Sequence, residues 1–238
     1  MNIARAQEII SRFNQHKILV VGDILLDHYI NGVVDRINPE APVPILKVIG
    51  ERQETGGAGN VAKNLSSLGA QTALVSVVGD DDMAREVDRA AAREGYEPIL
   101  IRDKSRSTIR KQRYLVGEHH LLRVDYENTA NIQGAIQDQV IAAIRQKFQG
   151  NLDAVIVSDY AKGVVNQSVA EMILDEAGQN NILVGADIKP SRAQYFTGAT
   201  FVAPNIKEAH EFLGLNHLEQ SIEPGELARM VYMKMCAD

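Results

Sequence analysis

The stretch TGGAGNVAKNLSSLGA, Thr55–Ala70, places three glycines within four positions directly before a helical pattern. Its segment Gly57–Ala62 matches the G-x-G-x-x-G/A fingerprint of a dinucleotide-binding turn. That fingerprint requires a buried strand that runs straight into the first glycine, and the polar residues 51–55 separate the glycines from the preceding apolar run. We therefore interpret the dinucleotide match as weak, although Asp80 follows at the spacing of a ribose-binding acid. A P-loop is excluded, because no Lys-Ser or Lys-Thr pair follows the glycines.

A buried helix explains part of this stretch. Val61, Leu65 and Leu68 recur at helical spacing, and Gly69 is typical of the residue that ends a helix. Such a helix does not by itself require Asn60 or so many glycines. Glycines also let backbone N–H groups approach a ligand closely, and the amide of Asn60 can both donate to and accept from hydroxyl groups. On the residues alone, the stretch is a structural turn, a ligand-binding loop, or both.

Outward from this stretch, short runs rich in β-branched residues alternate with helical patterns. The strand-like runs cover residues 17–21, 72–78, 153–157, 182–184 and 200–202. The helical patterns cover residues 83–93, 132–148, 168–177 and 206–213. This alternation predicts a parallel sheet covered by helices.

Two segments, at about 28–50 and 107–126, break the alternation. The first has strand-like halves around the prolines of Asn38–Pro42, which exclude a helix. The second has two strand-like halves around Gly117 and Glu118, a plausible hairpin turn. Strands without intervening helices do not fit the main sheet, so we predict a small β appendage.

The composition limits the class of protein. A chain of 238 residues with 45% apolar and 24% charged residues fits one main globular domain. The net charge of −6 argues against a nucleic-acid partner. Cys236 is the only cysteine, which indicates a reducing compartment. The N-terminus reads as an amphipathic helix rather than a signal peptide, and no apolar run approaches a membrane span, so we expect a cytoplasmic protein with no membrane partner.

Several segments, in order along the chain, resemble the ribokinase-like (PfkB) family of sugar kinases. Besides Gly56–Ala62, they are VVGDILLDHY (20–29), INPEAPVPILKV (37–48), TIRKQRYL (108–115), LLRVDYE (121–127), SDYAKG (158–163) and APNIKE (203–208). The resemblance covers nearly the whole chain. It is closest to the D-glycero-β-D-manno-heptose 7-phosphate kinases, whose domain also forms the N-terminal half of bifunctional heptose kinase/adenylyltransferases.

The resemblance implies one ribokinase-like domain over residues 1–238, a three-layer α/β/α sandwich with a mainly parallel central sheet. The β appendage would be its lid, with lid segments at about 28–50 and 107–126, and the C-terminal part of the fold would be missing. The implied reaction is ATP-dependent phosphorylation of the heptose 7-phosphate at its anomeric O1, in ADP-heptose supply for lipopolysaccharide cores. The implied cofactors are ATP and Mg²⁺, and the implied assembly is a homodimer through the lid.

Three alternatives stay open beside this reaction. The chain could be a kinase of another sugar phosphate, such as one acting on fructose phosphates. It could be a non-catalytic fragment that binds a sugar phosphate, because the family's base lies in a Gly-Ala-Gly-Asp motif expected beyond residue 238. An NAD-binding oxidoreductase is the third alternative, and we expect no NAD binding.

By the same resemblance, the sugar phosphate is bound by Asp27, Gly56, Gly57, Asn60, Lys111, Arg113, Asp159 and Lys162. A carboxylate after the first strand, such as Asp27, can accept from two hydroxyls, or else cap a turn. Lys111 and Arg113 are i, i+2 neighbours on a strand, so they point to one face and can grip a phosphate together. Arg110 is expected on the other face, exposed to solvent.

The resemblance places the nucleotide near Asp187, Lys189 and Asn205, with Glu208 holding water-bound Mg²⁺. Asn205 and Glu208 follow the family's N-x-x-E pattern, which is also that of a helix capping box. Both roles are compatible. Residues 80–82 we interpret as a helix N-terminus, and the adjacent histidines 119 and 120 as pointing to opposite faces of a strand, where they cannot share a metal.

Overall fold

The computed structural model describes residues 3–216 and 222–235, so Cys236 lies outside the described residues. The helices are α1 (Ile3–Ser11), α2 (Ala58–Ser67), α3 (Asp82–Glu94), α4 (Gly134–Phe148), α5 (Gln167–Asn180), α6 (Ile206–Leu213) and α7 (Pro224–Met235). The strands are β1 (Lys17–Gly22), β2 (Ile24–Ile37), β3 (Pro44–Gly57), β4 (Gln71–Gly79), β5 (Glu97–Asp103), β6 (Arg110–Val116), β7 (His119–Tyr126), β8 (Ala154–Ser158), β9 (Leu183–Asp187) and β10 (Phe201–Val202). Short 3₁₀ turns cover Phe13–Gln15 and Pro190–Phe196.

Six strands form a parallel sheet in the order β10-β9-β8-β1-β4-β5. This confirms the predicted parallel sheet. The predicted runs correspond to β1, β4, β8, β9 and β10, whereas β5 and α7 carry no prediction. In β5 the apolar run Ile99–Ile101 lies between charged and proline-containing ends, and the sequence analysis did not single it out.

Helices cover both faces of this sheet because successive residues of each strand point to opposite sides. On β1, Val20 packs in one apolar cluster with residues of α2 and α3. Its neighbours Leu19 and Val21 pack in a second cluster with residues of α4 and α5. All three side chains are fully buried. The result is the predicted three-layer α/β/α sandwich.

The remaining four strands form a second sheet in the order β3-β2-β6-β7. β2 pairs antiparallel with β3 and parallel with β6, and β6 pairs antiparallel with β7. The hairpin predicted around Gly117 joins β6 to β7, and Gly117 has a positive φ of 59°. This sheet corresponds to the predicted β appendage, and it is called the outer sheet below.

Contrary to the sequence prediction, a strand does lead into the glycines of Thr55–Ala70. Residues 51–55 are part of β3, which ends at Gly57, and α2 begins at the next residue. The sequence did not predict this strand because residues 51–55 are polar. They are polar because one face of β3 points to solvent and to a cavity. β3 belongs to the outer sheet and pairs antiparallel with β2, whereas a dinucleotide-binding turn follows a strand of a parallel sheet.

The glycines of this turn have structural causes that the sequence analysis did not see. Gly57 precedes α2 with φ 61° and ψ −130°, a conformation that side chains rarely adopt. A Cβ on Gly57 would also overlap the backbone oxygen of Asp23. A Cβ on Gly59 would lie 2.6 Å from Cβ of Thr55. The turn into α2 therefore requires these glycines even without a ligand.

Candidate functional site

A cavity of about 300 Å³ lies between the outer sheet and the start of α2. Its walls include Asp27, Gly56, Gly57, Asn60, Lys111 and Arg113, which the sequence analysis assigned to sugar-phosphate binding. They also include Leu25, Tyr29, Glu54, Thr55 and Tyr160. Two carboxylates, an amide, two cations and a glycine turn thus share one cavity.

Asp27 follows the first strand, as expected, and it lies within strand β2. Asp23 separates β1 from β2, so the segment VVGDILLDHY (20–29) is divided between these two strands. Side chains alternate along β2, and Leu26 and His28 are buried on the face away from the cavity. Asp27 therefore reaches the cavity from a strand, and it does not cap a helix or turn.

Lys111 and Arg113 of β6 point to the cavity face, as predicted. Lys111 lies beside Asp27 in register, and Arg113 lies beside Tyr29. Arg110 points to the other face, where its guanidinium lies 3.3 Å from Sδ of Met83 and 4.1 Å from the ring centre of Tyr126. It is half-buried there, so the expectation that it is solvent-exposed is wrong.

Asp27 and Arg113 form an ion pair in the cavity. Both side chains are largely buried, with 16% and 17% exposed. Burial alone would lower the pKa of Arg113, but hydrogen bonding to Asp27 and its charge outweigh burial and raise the pKa. A Cβ on Gly56 would overlap the Asp27 carboxylate. The absence of a side chain at residue 56 therefore leaves room for this carboxylate.

Asp159 and Lys162 are not among the residues that line this cavity. The Asp159 side chain has no exposed area, and its Oδ1 accepts from the backbone N–H of Ala161 at 2.8 Å. Lys162 Nζ lies 2.7 Å from Oε2 of Glu127. A role for Asp159 and Lys162 in sugar binding stays a prediction.

Asp23, which the sequence analysis did not single out, fixes the loop that contains them. Its side chain is fully buried at the carboxyl end of β1. It accepts hydrogen bonds from the backbone N–H groups of Tyr160, Lys162 and Val164 at 2.9–3.0 Å. The signal available in the sequence was a carboxylate directly after a buried strand, where parallel sheets collect ligand-binding and loop-anchoring groups.

Asp159 lies close to Asp23 in this buried region. Burial, and next the negative charge of Asp23, raise the pKa of Asp159 to about 6. Arg192 is its cationic neighbour, with Nη1 at 3.5 Å from Oδ1. Asp159 therefore holds a proton more readily than an ordinary aspartate does.

The residues assigned to the nucleotide also lie together, at the carboxyl end of β9. Lys189 Nζ is 2.6 Å from Oε1 of Glu208. Glu208 and Asn205 form a complete capping box at the start of α6. The hydrogen bond from Lys189 opposes burial and lowers the pKa of Glu208, whereas burial, and next the charge of Glu208, raise the pKa of Asp187.

Tyr160 connects the two groups of residues. It lines the cavity, and its ring centre lies 5.7 Å from Nζ of Lys189. Its hydroxyl is affected electrostatically by Asp27 on one side and by Glu208 on the other; burial, and next Asp187, raise its pKa. The predicted sugar site and the predicted nucleotide site are thus neighbours.

Within residues 3–216 and 222–235, no group of three or more His, Cys, Asp or Glu residues is arranged to hold a metal.

The predicted N-terminus of α3 is confirmed, because Asp81 accepts from the backbone N–H of Ala84 at 2.9 Å. In the same described part of the chain, no helix has the length and apolar character needed to cross a bilayer.

Residues 15–235 match the family model described as pfkB family carbohydrate kinase. The chain is 40% identical over 203 residues to a protein of Bordetella bronchiseptica named D-beta-D-heptose 7-phosphate kinase, covering 85% of this chain and 63% of that protein. It is 38% identical over 216 residues to the Bifunctional protein HldE of Trichlorobacter lovleyi, covering 90% of this chain and 44% of that protein. The chain thus spans less than two thirds of the length of these relatives.

Solved structures share the fold at low sequence identity. Phosphofructokinase-2 from Escherichia coli superposes with a TM-score of 0.69 at 16% identity, over 93% of this chain and 70% of that one. A carbohydrate kinase from Agrobacterium tumefaciens superposes with a TM-score of 0.62 at 19% identity, over 91% and 67% of the two chains. These similarities show the fold, and the family match over residues 15–235 shows that the chain belongs to the pfkB family of carbohydrate kinases.

Proposed function

We propose that this chain forms the sugar-binding part of a kinase that phosphorylates D-glycero-β-D-manno-heptose 7-phosphate at O1 with ATP, in ADP-heptose supply. The observation that carries the proposal is the cavity where Asp27, Asn60, Lys111 and Arg113 meet. It offers acceptors and donors for hydroxyl groups and cations for a phosphate. The name of the Bordetella relative supports this substrate.

Each wall of the cavity would have a separate task. Asp27 accepts hydrogen bonds from sugar hydroxyls, and Asn60 both donates and accepts. Arg113 pairs with the substrate phosphate, since a guanidinium suits a phosphate in a bidentate geometry. Closure of the outer sheet over the sugar would exclude water from the transfer.

The nucleotide side fits a magnesium ion held mainly by water and phosphate oxygens. Mg²⁺ usually takes one or two carboxylates from the protein, and Asp187 and Glu208 are two carboxylates close enough to shift the pKa of Asp187. When bound, the ion would neutralise charge on the phosphoryl group. Lys189 holds Glu208 in place at 2.6 Å and can itself pair with a phosphate.

Phosphorylation assays on a panel of sugar phosphates test the proposal. We expect turnover of heptose 7-phosphate to exceed that of fructose phosphates, and the reverse order would contradict the substrate. The 238 residues contain no Gly-Ala-Gly-Asp segment, although Gly57–Asn60 resembles it without an acid at its end. Binding of heptose 7-phosphate without turnover, with turnover restored on extending the C-terminus, would identify the chain as a binding fragment.

A magnesium role for Glu208 is tested by Glu208→Gln. Glutamine can still accept the capping hydrogen bond, so the helix remains capped while the charge is lost. We expect ATP binding to lose its dependence on Mg²⁺, as measured by calorimetry with and without the ion. Unchanged dependence would remove Glu208 from the metal site.

We further propose a homodimer formed through the outer sheet, in the cytoplasm. Exposed apolar residues on one face of this sheet, such as Val48 and Leu122, support an interface. Sedimentation analysis of the wild type and of Val48→Lys would test it. A monomeric wild type would contradict the dimer.

A further inference from the structure

The cavity face of the outer sheet is organised in two rows that cross its four strands. The register of the strands places Arg52, Tyr29, Arg113 and Arg123 in one row. It places Glu54, Asp27, Lys111 and Asp125 in the row two residues nearer the parallel sheet. Residues paired across strands share a face, so both rows face the cavity side. We call them the arginine row and the acidic row.

Three ion pairs join the two rows. Arg113 pairs with Asp27 across β6 and β2, Arg123 Nε lies 2.9 Å from Oδ1 of Asp125 on β7, and Arg52 Nη1 lies 3.5 Å from Oε1 of Glu54 on β3. Each arginine thus leans toward the acidic row, and of the three only Arg113 lines the cavity itself. The side chains of Arg52 and Arg123 remain 63% and 54% exposed, so both keep donors free for a ligand.

Two of these arginines converge on one ring. The Arg52 guanidinium lies 4.0 Å from the centre of the Tyr29 ring, and that of Arg113 lies 5.1 Å from it. Arg123 is the cross-strand partner of Arg113 on β7. Two guanidinium groups beside one aromatic wall, with a third on the next strand, form a surface suited to a dianion.

The position of the arginine row indicates how a sugar phosphate would be oriented in the cavity. Asp27, in the acidic row, interacts electrostatically with Tyr160, which also borders Lys189 and Glu208. The arginine row lies about 7 Å farther out along the strands, two residues away. A sugar whose reacting hydroxyl faces the Tyr160 side therefore places its far end at the arginine row.

We propose that Arg52 and Arg123 are further binding residues, and that they complete, with Arg113, a site for a phosphate at the end of the sugar distal from the reacting hydroxyl. This inference rests on the proposed function. It adds Arg52, which lies in none of the family segments, and Arg123, which lies in LLRVDYE (121–127) with no role assigned to it there. It also makes the distance between phosphate and reacting hydroxyl a determinant of specificity.

The test is calorimetric titration of the 238-residue chain and its variants Arg52→Gln and Arg123→Gln. The ligands are heptose 7-phosphate, the dephosphorylated heptose and fructose 6-phosphate. Arg145→Gln is the matched control, since Arg145 is an exposed arginine paired with Glu176 at 3.1 Å on the helical layer. Circular dichroism confirms that each variant is folded.

We expect Arg52→Gln and Arg123→Gln each to weaken heptose 7-phosphate on the order of tenfold, the effect of losing one charge-assisted hydrogen bond. Binding of the dephosphorylated heptose and of every ligand to Arg145→Gln should change by less than about twofold. Equal weakening of both heptoses, or no weakening of either, would overturn the proposed phosphate-binding role of Arg52 and Arg123. Either result would leave the proposed substrate intact.

The same titrations separate the two proposals. If the wild type binds fructose 6-phosphate but not heptose 7-phosphate, and the arginine variants weaken it, the proposed substrate fails and the arginine row stands. If the wild type binds no sugar phosphate, both proposals fail.

Discussion

Asp27 and Arg113 form an ion pair across the neighbouring strands β2 and β6, and both side chains line the same cavity. Each one therefore neutralises the other. In the proposed function a sugar phosphate would have to compete with this pairing: hydroxyls would replace Arg113 at the carboxylate, and a phosphate would replace Asp27 at the guanidinium.

Replacing Lys111 and Arg113 together by alanine should weaken a sugar phosphate far more than the dephosphorylated sugar. The loss should be on the order of a hundredfold for the phosphate, because two charge-assisted interactions disappear. Asp27→Asn should weaken the dephosphorylated sugar more than the sugar phosphate, because the asparagine no longer competes with the phosphate for the Arg113 guanidinium. Titrations with both sugars measure the difference, and equal weakening by the double variant would remove the two cations from the phosphate site.

Gly57→Ala should destabilise the fold by about 2 kcal/mol or more, because alanine must adopt a positive φ and overlap the backbone of Asp23. Gly56→Ala is the contrasting change. Its added methyl would meet the Asp27 carboxylate and Cδ1 of Leu25, which are the ends of side chains that line the cavity and not backbone atoms, so sugar affinity should fall more than stability. Urea unfolding together with sugar titration distinguishes the two variants. A Gly57→Ala variant as stable as the wild type would contradict the structural requirement for glycine at this position.

Asp23→Asn should cost about 2–4 kcal/mol of unfolding free energy, since an amide cannot accept from all three N–H groups that the carboxylate binds. Asp153→Asn is a matched control. Asp153 also accepts from a backbone N–H, that of Lys17 at 2.7 Å, but its side chain is 47% exposed. Comparable losses in both variants would show that burial of Asp23 is not the cause.

Asp159 should make stability depend on pH in the direction opposite to that of most aspartates. Its pKa is raised from 3.8 to about 6 in the fold, so between these values the folded protein binds the proton more tightly. This group therefore lowers stability as the pH rises from about 4 to about 7, by on the order of 1–3 kcal/mol.

Asp159→Asn isolates this effect. The variant keeps an oxygen for the N–H of Ala161 and carries no charge beside Asp23. Its stability relative to the wild type should increase with pH across that range in denaturant titrations. A constant difference from pH 4 to pH 7 would mean that Asp159 titrates normally.

The sequence predicted the parallel sheet well because its strands are continuous apolar runs, such as Leu19–Val21, that are covered on both faces. The outer sheet was predicted as strands but not in its pairing. One of its faces is polar, so β3 between residues 51 and 55 lacked the apolar signal of a strand. Register and pairing order depend on contacts between distant residues, which one sequence does not display.

The candidate site shows the same division. The family motifs assigned Asp27, Asn60 and Arg113 to sugar binding, and these residues line one cavity. No role was assigned to Arg52 or Arg123 from the sequence, because their position beside Arg113 depends on the cross-strand register. Asp23 was missed because its function is to accept backbone N–H groups from a loop more than 130 residues later. Contacts of this kind become visible only when the two segments are placed together.

The crossing between the two sheets is held at adjacent points. Ala58 N–H donates to the backbone oxygen of Asp23 at 3.0 Å, and Leu26 N–H donates to that of Ile109 at 2.9 Å. The buried end of β2 is thus tied to the core, whereas Ile37 at its other end is 59% exposed. Amide hydrogen exchange along this one strand should then change from global unfolding near Leu26 to local fraying near Ile37. The sheet that carries the arginine row would accordingly be anchored at its base and most easily opened at its tip.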